Sequence, residues 1–208
     1  NWHPSPEFYY QYGGGPMMDM GPYYMTALVN LLGSAKGLTG LVTKSFETRT
    51  ITSEPKCGTV VPVEVPTHVN GILQFTNGAV ATVTTTFDVY YDRQDKLEIY
   101  GTEGTLRVPD PNGFGGSITL LRPEEGSFKE IPLVFDYQDN SRGLGVADMA
   151  KALRCGRGCR ADCSQTLHVL EIMTAFEKSS REGRYMELET SYERGPAMAH
   201  NPVRGILD

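Results

Sequence analysis

Hydrophobic residues recur with a helical period in the stretch between Gly13 and Gly33. The apolar residues that would share one buried face of this helix are Met25, Leu28, Val29 and Leu32. Pro16 suits the first helical position, and Gly33 suits the position just after the last turn. The dipeptide Gly21-Pro22 interrupts the pattern, because a proline inside a helix removes a backbone hydrogen bond. The pattern therefore predicts a helix that ends at Gly33 and that begins at Pro16 or, if the proline breaks it, at Pro22.

After Gly33 the hydrophobic period changes to two, which is typical of β-strands. The predicted strands cover residues 38–52, 65–75, 80–89, 97–100, 105–108, 117–121 and 129–135. Residues 53–62 are predicted to form a loop or an edge crossing. Asn77-Gly78 predicts a tight hairpin between the second and third of these strands. Along residues 80–89 one face is apolar and the other carries threonine, which suits a ligand floor or a sheet-to-sheet contact.

A helical period returns in residues 144–153 and 164–181, whereas the tail from residue 193 to residue 208 is predicted to be an extended arm. The apolar stripe predicted for the second of these helices is Leu167, Leu170, Ile172, Met173 and Phe176. His168 lies on the same helix and is interpreted as a structural or surface histidine. This order of elements predicts an α+β fold, with a mixed, largely antiparallel open sheet and helices on one of its faces.

Candidate chemistry lies at the start of the first helix, after the glycine triplet Gly13–Gly15. Three glycines allow positive φ angles and let the backbone lie close against a large flat group. Asp19 and Tyr23 are four residues apart, so a continuous helix places both on one face. An acid and a phenol at this place form the polar corner of a candidate active site. The alternative interpretation is that Asp19 caps a helix and that Tyr23 is half-buried packing.

Residues 1–12 are rich in aromatic side chains and proline, so they are predicted to pack across the domain or to line a ligand pocket. Trp2 and His3 are candidate contacts to a sugar-like ligand, the tryptophan through its face and the histidine through a ring nitrogen. Tyr24 is included with them as a candidate substrate-binding residue. A packed loop without a ligand is the alternative interpretation of Trp2 and His3.

The run GGGPMMDMGPYY resembles the D-x-G-x-His/Tyr signature that follows a glycine triplet in the oxidoreductase family named for glucose–fructose oxidoreductase, inositol dehydrogenase and MocA. Two further stretches are similar to that family, LEIYGTEGTLRV from residue 97 and HVLEIMTAFEKSSREGR from residue 168. The resemblance covers nearly the whole chain. It implies that residues 1–208 are a substrate-binding and oligomerisation domain, folded like the C-terminal domain of glyceraldehyde-3-phosphate dehydrogenase.

The resemblance also implies the chemistry, which is hydride transfer between NAD or NADP and a carbinol carbon of a sugar or polyol. Tyr23 stands at the motif position of the proton-transferring residue, where most members carry histidine and some carry tyrosine. Asp19 would orient the substrate or the tyrosine, and Gly13–Gly15 would contact the cofactor. The 208 residues contain neither a G-x-G-x-x-G fingerprint after a strand nor a Glu-Lys-Pro motif. The N-terminal Rossmann domain, which binds most of the cofactor, is therefore expected to be absent from this chain.

The composition and charge of the chain argue against two classes of partner and indicate a location. The formal net charge of −6 argues against nucleic acid or an anionic membrane, and no apolar run approaches the ~20 residues that span a bilayer. Cys155, Cys159 and Cys163 lack the C-x2-C spacing that thiolate metal sites usually show. Free reduced thiols, no bound metal and a cytoplasmic location are therefore expected.

Two other functions fit the same residues. The chain could be a binding or assembly module without chemistry, which forms a homo-oligomer through the threonine-rich face of its sheet. It could also belong with relatives that use tightly held NAD to hydrolyse glycosides. The fold alone does not separate these functions. A sugar or polyol dehydrogenase is the first hypothesis, because the glycine triplet, Asp19 and Tyr23 match the motif of that family.

Overall fold

The computed structural model of the chain describes residues 2–90, 95–135, 137–195, 197–200 and 206–207. In chain order the elements are a 3-10 helix at Pro6–Tyr10, then α1 (Pro16–Leu32), β1 (Ala35–Thr43), β2 (Thr48–Thr50), β3 (Val60–Pro62), β4 (His68–Phe75), β5 (Val80–Thr86), β6 (Glu98–Gly101), β7 (Gly104–Arg107), β8 (Ile118–Leu121), β9 (Lys129–Ile131), α2 (Leu144–Cys155), α3 (Cys163–Glu182) and β10 (Met186–Glu187). The described strand pairs are all antiparallel. The predicted α+β class with largely antiparallel sheets is therefore confirmed.

The chain folds as two compact units. The first unit comprises Asn1–Tyr90 with Cys163–Arg194, and the second comprises Tyr91–Asp162 with Gly195–Asp208. The first unit contains a four-stranded sheet in the order β10-β1-β4-β5 and the separate hairpin β2–β3. All the candidate site residues lie in the first unit. The prediction that residues 1–208 act together as one substrate-binding and oligomerisation domain stays a prediction.

Helix α1 begins at Pro16 and continues through Pro22, so the proline does not break it. Gly21, the residue before Pro22, is buried where α1 packs against α3. A Cβ at Gly21 would lie 2.8 Å from Sδ of Met17 and 2.9 Å from Sδ of Met173. This close packing against α3 stabilises the helix at a point where its local sequence favours an interruption.

Two glycines let α3 lie close to the sheet of the first unit. Gly40 of β1 and Gly71 of β4 are paired across the ladder, and both face the ring of Phe176. A Cβ at Gly40 would lie 2.9 Å from Cδ1 of Phe176, and a Cβ at Gly71 would lie 2.7 Å from its Cε1. Larger residues at these two positions would push the helix away from the sheet. The ring of Phe176 is accordingly 1% exposed.

The buried stripe of α3 differs from the predicted one. Leu167 and Leu170 are 55% and 47% exposed, so their assignment to the core is wrong, whereas the other three predicted residues are buried. The helix also buries three polar residues, Gln165, His168 and Ser179. Each is hydrogen-bonded: Gln165 donates to Asn30 Oδ1 at 2.9 Å, and Ser179 Oγ accepts the N–H of Gly40 at 3.0 Å. Hydrogen bonding offsets the cost of burying these polar groups. A hydrophobic period cannot reveal them, because it does not show which polar side chains find a partner.

His168 is fully buried, so its structural interpretation is confirmed and its surface interpretation is wrong. Its Nε2 accepts the N–H of Ala35 at 2.9 Å, which places the ring proton on Nδ1. Nδ1 lies 2.9 Å from Oγ1 of Thr190, whose hydroxyl donates to Glu171. The pKa of His168 lies below its ordinary value because burial disfavours the charged imidazole, although the negative charge of Glu171 opposes this effect.

Acidification is expected to destabilise the first unit through His168. Because its folded pKa is below the ordinary 6.5, the unfolded chain binds the proton first, and the free energy of unfolding falls as the pH drops below about 6.5. The melting temperature of the parent chain should therefore fall more steeply between about pH 8 and pH 5 than that of His168→Gln. Glu171 has a lowered pKa and stays ionised over this range. Equal slopes for the two proteins would contradict the prediction.

The second unit pairs β6, β7, β8 and β9 in chain order and carries α2. Asp148 of α2 is 7% exposed and accepts hydrogen bonds from Arg157 Nη2 at 2.7 Å and from the backbone N–H of Arg160 at 2.9 Å. Burial alone would raise the pKa of Asp148, but these hydrogen bonds outweigh it and lower the pKa to about 2. The carboxylate therefore fastens the loop after α2 to the helix.

Several predicted boundaries are corrected. Residues 38–52 form two strands, β1 and β2, because β2 pairs with β3 in a separate hairpin that takes three residues from the predicted loop. On β5 the buried residues are Val83 and Thr85, so the face that was predicted to be apolar also carries a threonine. Val80 shares the exposed face with the other threonines and is 61% exposed. In the predicted arm, residues 193–195, 197–200 and 206–207 form no helix or strand, and residues 196, 201–205 and 208 lie outside the described ranges.

No helix in the described ranges has both the length and the apolar character needed to cross a membrane.

Candidate functional site

The start of α1 places Asp19 and Tyr23 on one face of the helix. Gly15, with φ of 89°, precedes the helix, and its carbonyl accepts the N–H of Asp19 at 3.0 Å. Because α1 is continuous, Tyr23 lies about one turn after Asp19. Tyr23 is 44% exposed, and Tyr24 is half-buried about 100° further around the helix. The phenol of Tyr23 is therefore accessible to a ligand.

Asp19 is a partly buried carboxylate that accepts no side-chain hydrogen bond from the residues described in the structure. The interpretation that it caps the helix is wrong, because the N-cap is Gly15 and no side chain bonds to the cap. Burial raises the pKa of Asp19, since a desolvated carboxylate favours its neutral form. A carboxylate without a partner in such surroundings is typical of a ligand-binding or catalytic group.

The glycine triplet joins α1 to the aromatic segment, residues 2–12. The N–H of Gly15 donates to the carbonyl of Tyr9 at 2.7 Å. A Cβ at Gly14 would lie 2.5 Å from the carbonyl oxygen of Phe8 and 2.7 Å from that of Tyr9, so only glycine fits there. Gly13 has φ of 87°, and a Cβ on it would meet nothing within 4 Å. The backbone is thus closely packed at Gly14 and open at Gly13.

The aromatic segment forms an aromatic cluster, which comprises Trp2, His3, Phe8, Tyr9 and Phe87. The ring of Trp2 is edge-on to His3 at 5.2 Å and to Tyr9 at 6.5 Å between centroids, and Trp2 is 77% exposed. Phe87, beyond the end of β5, contacts Tyr9 at 6.1 Å. Nδ1 of His3 accepts the N–H of Ser5 at 3.0 Å, so the neutral ring carries its proton on Nε2. Trp2 and His3 thus lie together, and their contact with a sugar stays a prediction.

Contacts to the β2–β3 hairpin and its flanks hold the aromatic segment in place. Ser53 Oγ donates to the carbonyl of His3 at 2.5 Å, and Lys56 forms an ion pair with Glu7. These two residues belong to the loop between β2 and β3. The aromatic cluster is therefore anchored from the hairpin on one side and from the glycine triplet on the other.

Tyr9 is a site residue that the sequence analysis does not single out. Its ring contacts Trp2, His3, Phe8 and Phe87. Burial raises the pKa of Tyr9, and the negative charge of Asp19 raises it further, so the carboxylate lies within electrostatic range of the phenol. The run Phe8-Tyr9-Tyr10 was the available signal, but it does not indicate which of its rings lies beside Asp19. Tyr9 therefore links the aromatic cluster to Asp19, and Asp19 shares one face of α1 with Tyr23.

Comparison with known proteins identifies the family. Residues 1–107, half of the chain, match the family described as GFO/IDH/MocA C-terminal domain. The chain belongs to this family. The matched range contains the aromatic segment, the glycine triplet, Asp19 and Tyr23, so the resemblance seen in the motif is confirmed.

Several oxidoreductases are similar to this GFO/IDH/MocA domain. D-xylose 1-dehydrogenase (NADP(+)) 2 of Haloferax volcanii is 26% identical over 176 residues, which cover 85% of this chain and 49% of that protein. The structure of levoglucosan dehydrogenase matches with a TM-score of 0.71 and 18% identity, over 92% of this chain and 57% of that one. Aldose-aldose oxidoreductase from Caulobacter crescentus, complexed with glycerol, matches with a TM-score of 0.63 and 22% identity, over 85% of this chain and 48% of that one. The likeness to the two solved structures shows the fold, and the chain spans about half the length of these relatives.

The four cysteines of this GFO/IDH/MocA domain are free, and Cys57, Cys155 and Cys163 are exposed. Cys155 is the last residue of α2, which ends at Gly156 in a left-handed conformation. Within the described residues, no group of three or more His, Cys, Asp or Glu side chains is placed to hold a metal ion. That the thiols are reduced and metal-free in solution stays a prediction, which elemental analysis and intact mass can test.

A second surface lies on the sheet β10-β1-β4-β5 of the first unit. It is the open face of that sheet, on the side opposite α1 and α3. The central side chains of this face are uncharged and comprise Thr39, Leu41, Asn70, Ile72, Val80, Thr82 and Thr84. Leu41, Ile72 and Val80 are 66%, 53% and 61% exposed. A cavity of about 680 Å³ is lined in part by this face and by Arg184 and Tyr185, and none of the candidate site residues lines it. The open face is therefore separate from the site around Asp19.

Proposed function

We propose that this chain is the substrate-binding half of an NAD(P)-dependent oxidoreductase that acts on a CH–OH group of a sugar or polyol. The observation that carries the proposal is the partly buried Asp19, without a hydrogen-bond partner among the described residues, one helical turn from the exposed Tyr23. Both lie in a chain of the GFO/IDH/MocA family. The relatives named as D-xylose and levoglucosan dehydrogenases support a sugar as the substrate class.

In this proposal the side chains of the chain bind the sugar and move one proton. Tyr23 takes the proton of the reacting hydroxyl as the hydride leaves the same carbon, and Asp19 orients that hydroxyl as a hydrogen-bond acceptor. A free phenol has a pKa near ~10, so it needs a neighbouring cation to accept a proton near neutral pH. The resemblance to the family implies a lysine of the N-terminal half in that role. Trp2, His3 and Tyr24 are proposed to contact the rest of the sugar.

The glycine triplet fits a contact with the nicotinamide end of the cofactor. Gly13 offers an open stretch of backbone, since a side chain there would meet nothing within 4 Å, whereas Gly14 and Gly15 pack against the backbone carbonyls of Phe8, Tyr9 and Pro66. NAD or NADP would accept the hydride, and most of its contacts are proposed to come from an N-terminal Rossmann domain. Gly13 is therefore the residue of the triplet that we expect to border the cofactor most directly.

Turnover by the intact protein tests the proposed function. The protein is assayed with NAD⁺ and NADP⁺ against a panel of aldoses, 1,6-anhydrosugars and polyols, and substrates deuterated at the reacting carbon should deliver deuterium to the nicotinamide. The 208-residue chain alone should show neither turnover nor measurable NAD affinity. Release of the aglycone from aryl glycosides without net reduction of NAD would favour a glycosidase. The absence of both activities would favour a binding or assembly module.

We also expect the chain to form a homo-oligomer through the open face of its sheet. An uncharged surface with several exposed aliphatic side chains is suited to contact with a second copy of itself. Ile72→Glu places a charge at the centre of this face and should convert the oligomer to monomer in light scattering. Val146→Glu is the matched control, because Val146 is 71% exposed on α2, an element of the second unit. A parent chain that is monomeric at high concentration would contradict the expectation.

A further inference from the structure

We propose that Tyr9 is a substrate-contacting residue, whose phenol hydroxyl binds one hydroxyl of the sugar while Asp19 binds a neighbouring one. The inference rests on the proposed function and makes it more specific, because it assigns the recognition of a vicinal diol to two named side chains. Tyr9 would be a specificity-determining residue rather than a proton-transfer group. The sugar would lie against the exposed ring of Trp2, which is part of the same aromatic cluster.

The backbone of Tyr9 is fixed to the start of α1. Its carbonyl accepts the N–H of Gly15 at 2.7 Å, and the Gly15 carbonyl accepts the N–H of Asp19 at 3.0 Å. A Cβ at Gly14 would lie 2.7 Å from the carbonyl oxygen of Tyr9, so the chain approaches as closely as glycine allows. Tyr9 and Asp19 are therefore held near each other by two successive hydrogen bonds and not by side-chain packing alone.

The ring of Tyr9 is held by four other rings. Phe8 lies 4.1 Å away between centroids at an interplanar angle of 33°, and His3 lies 5.7 Å away at 82°. Phe87 and Trp2 contact it at 6.1 Å and 6.5 Å. This packing fixes the direction of the phenol, while its hydroxyl makes no hydrogen bond with any residue that the structure describes. A hydroxyl on a fixed ring, without a protein partner among the described residues, is free to bind a ligand.

The two groups are chemically complementary to a sugar. The neighbouring carboxylate raises the pKa of Tyr9 in addition to the larger effect of burial, so the phenol stays protonated and can donate. Asp19, also desolvated, accepts hydrogen bonds when ionised. One donor and one acceptor on backbone segments that are hydrogen-bonded to each other match two hydroxyl groups of one sugar, and the exposed face of Trp2 suits the apolar C–H surface of its ring.

Tyr9→Phe in the intact protein tests the inference, because it keeps the ring and removes only the hydroxyl. With the best sugar of the panel, KM should rise about tenfold, which corresponds to the loss of one hydrogen bond between uncharged groups, while kcat changes less than about threefold. Tyr10→Phe is the matched control: the ring of Tyr10 contacts Phe87, and the described residues give it no ring contact with Trp2 or His3. Its KM and kcat should equal those of the parent.

Deoxy analogues of the same sugar separate a ligand contact from a structural role. The parent should bind the analogue that lacks the contacted hydroxyl about tenfold more weakly than the sugar, and Tyr9→Phe should bind the two almost equally. An unchanged KM in Tyr9→Phe, or the same discrimination in both proteins, would overturn the inference while the proposed function stands. A Tyr9→Phe protein that melts well below the parent would also overturn it, because the hydroxyl would then serve the fold. A parent protein without activity on any sugar would overturn both.

Discussion

Gly71→Ala is expected to lower the free energy of unfolding by about 2 to 3 kcal/mol, the upper part of the usual range for overpacking a core. The added Cβ would lie 2.3 Å from the carbonyl oxygen of Thr39 and 2.7 Å from Cε1 of Phe176. Neither contact can relax easily, since one atom belongs to the backbone of the neighbouring strand and the other to a ring that is 1% exposed. Urea denaturation followed by circular dichroism measures the loss.

Two further variants show whether the crossing of α3 over the sheet causes this loss. Gly145→Ala on α2 is the control, because a Cβ there meets nothing within 4 Å, and alanine favours a helix by up to ~1 kcal/mol. Phe176→Leu combined with Gly71→Ala should cost less than the sum of the two single changes, since the smaller side chain makes room for the Cβ. A Gly71→Ala chain as stable as the parent would show that the helix can move away without cost.

The parts of the fold that local chemistry decides could be predicted from the sequence. Gly33 follows α1 with φ of 89° and donates its N–H to Val29 at 2.9 Å, as a C-terminal cap should. Asn77-Gly78 joins β4 to β5 with Gly78 at φ of 89°, the left-handed geometry that a tight hairpin requires. In both places the residue type itself restricts the backbone, so no distant partner is needed to make the prediction.

The parts that depend on distant partners could not be predicted. The stripe of α3 was misjudged because His168 and Ser179 are buried against backbone N–H groups of β1 that lie more than 130 residues away in the chain. The same limit applies to Pro22, which lies inside α1 next to Gly21, where the helix packs closely against Met173 of α3. Hydrophobic periodicity measures the side chain alone, whereas burial of a polar group depends on its partner.

In the candidate site, too, the local part could be predicted and the part that depends on distant residues could not. The spacing of Asp19 and Tyr23 places them on one face of any continuous helix, and the helix is continuous. Tyr9 could not be chosen over Tyr10 from the sequence, because the choice depends on a 3-10 helix at Pro6–Tyr10 and on the close approach at Gly14. The sequence therefore predicts the helical half of the site, and the structure adds the ring that lies beside it.

Tyr23→Phe in the intact protein is expected to lower kcat by roughly 10²–10⁴-fold, the usual contribution of general acid–base catalysis. The change keeps the ring and its packing on α1 but removes the only hydrogen that the side chain can transfer. Substrate affinity and melting temperature should change little, since Tyr23 is 44% exposed and contributes little to the core. Steady-state turnover with the best sugar of the panel, together with thermal melts, measures each part of the expectation.

Two comparisons decide between a catalytic and a packing role for Tyr23. Tyr100→Phe is the control, because it removes a phenol hydroxyl from a 75% exposed tyrosine of the second unit and should leave kcat unchanged. Asp19→Asn keeps the shape of the side chain but removes its charge, so it should weaken substrate affinity and turnover together. If Tyr23→Phe turns over within a few-fold of the parent while Asp19→Asn is impaired, the proton is transferred by another group, and Tyr23 serves only to pack the face that Asp19 occupies.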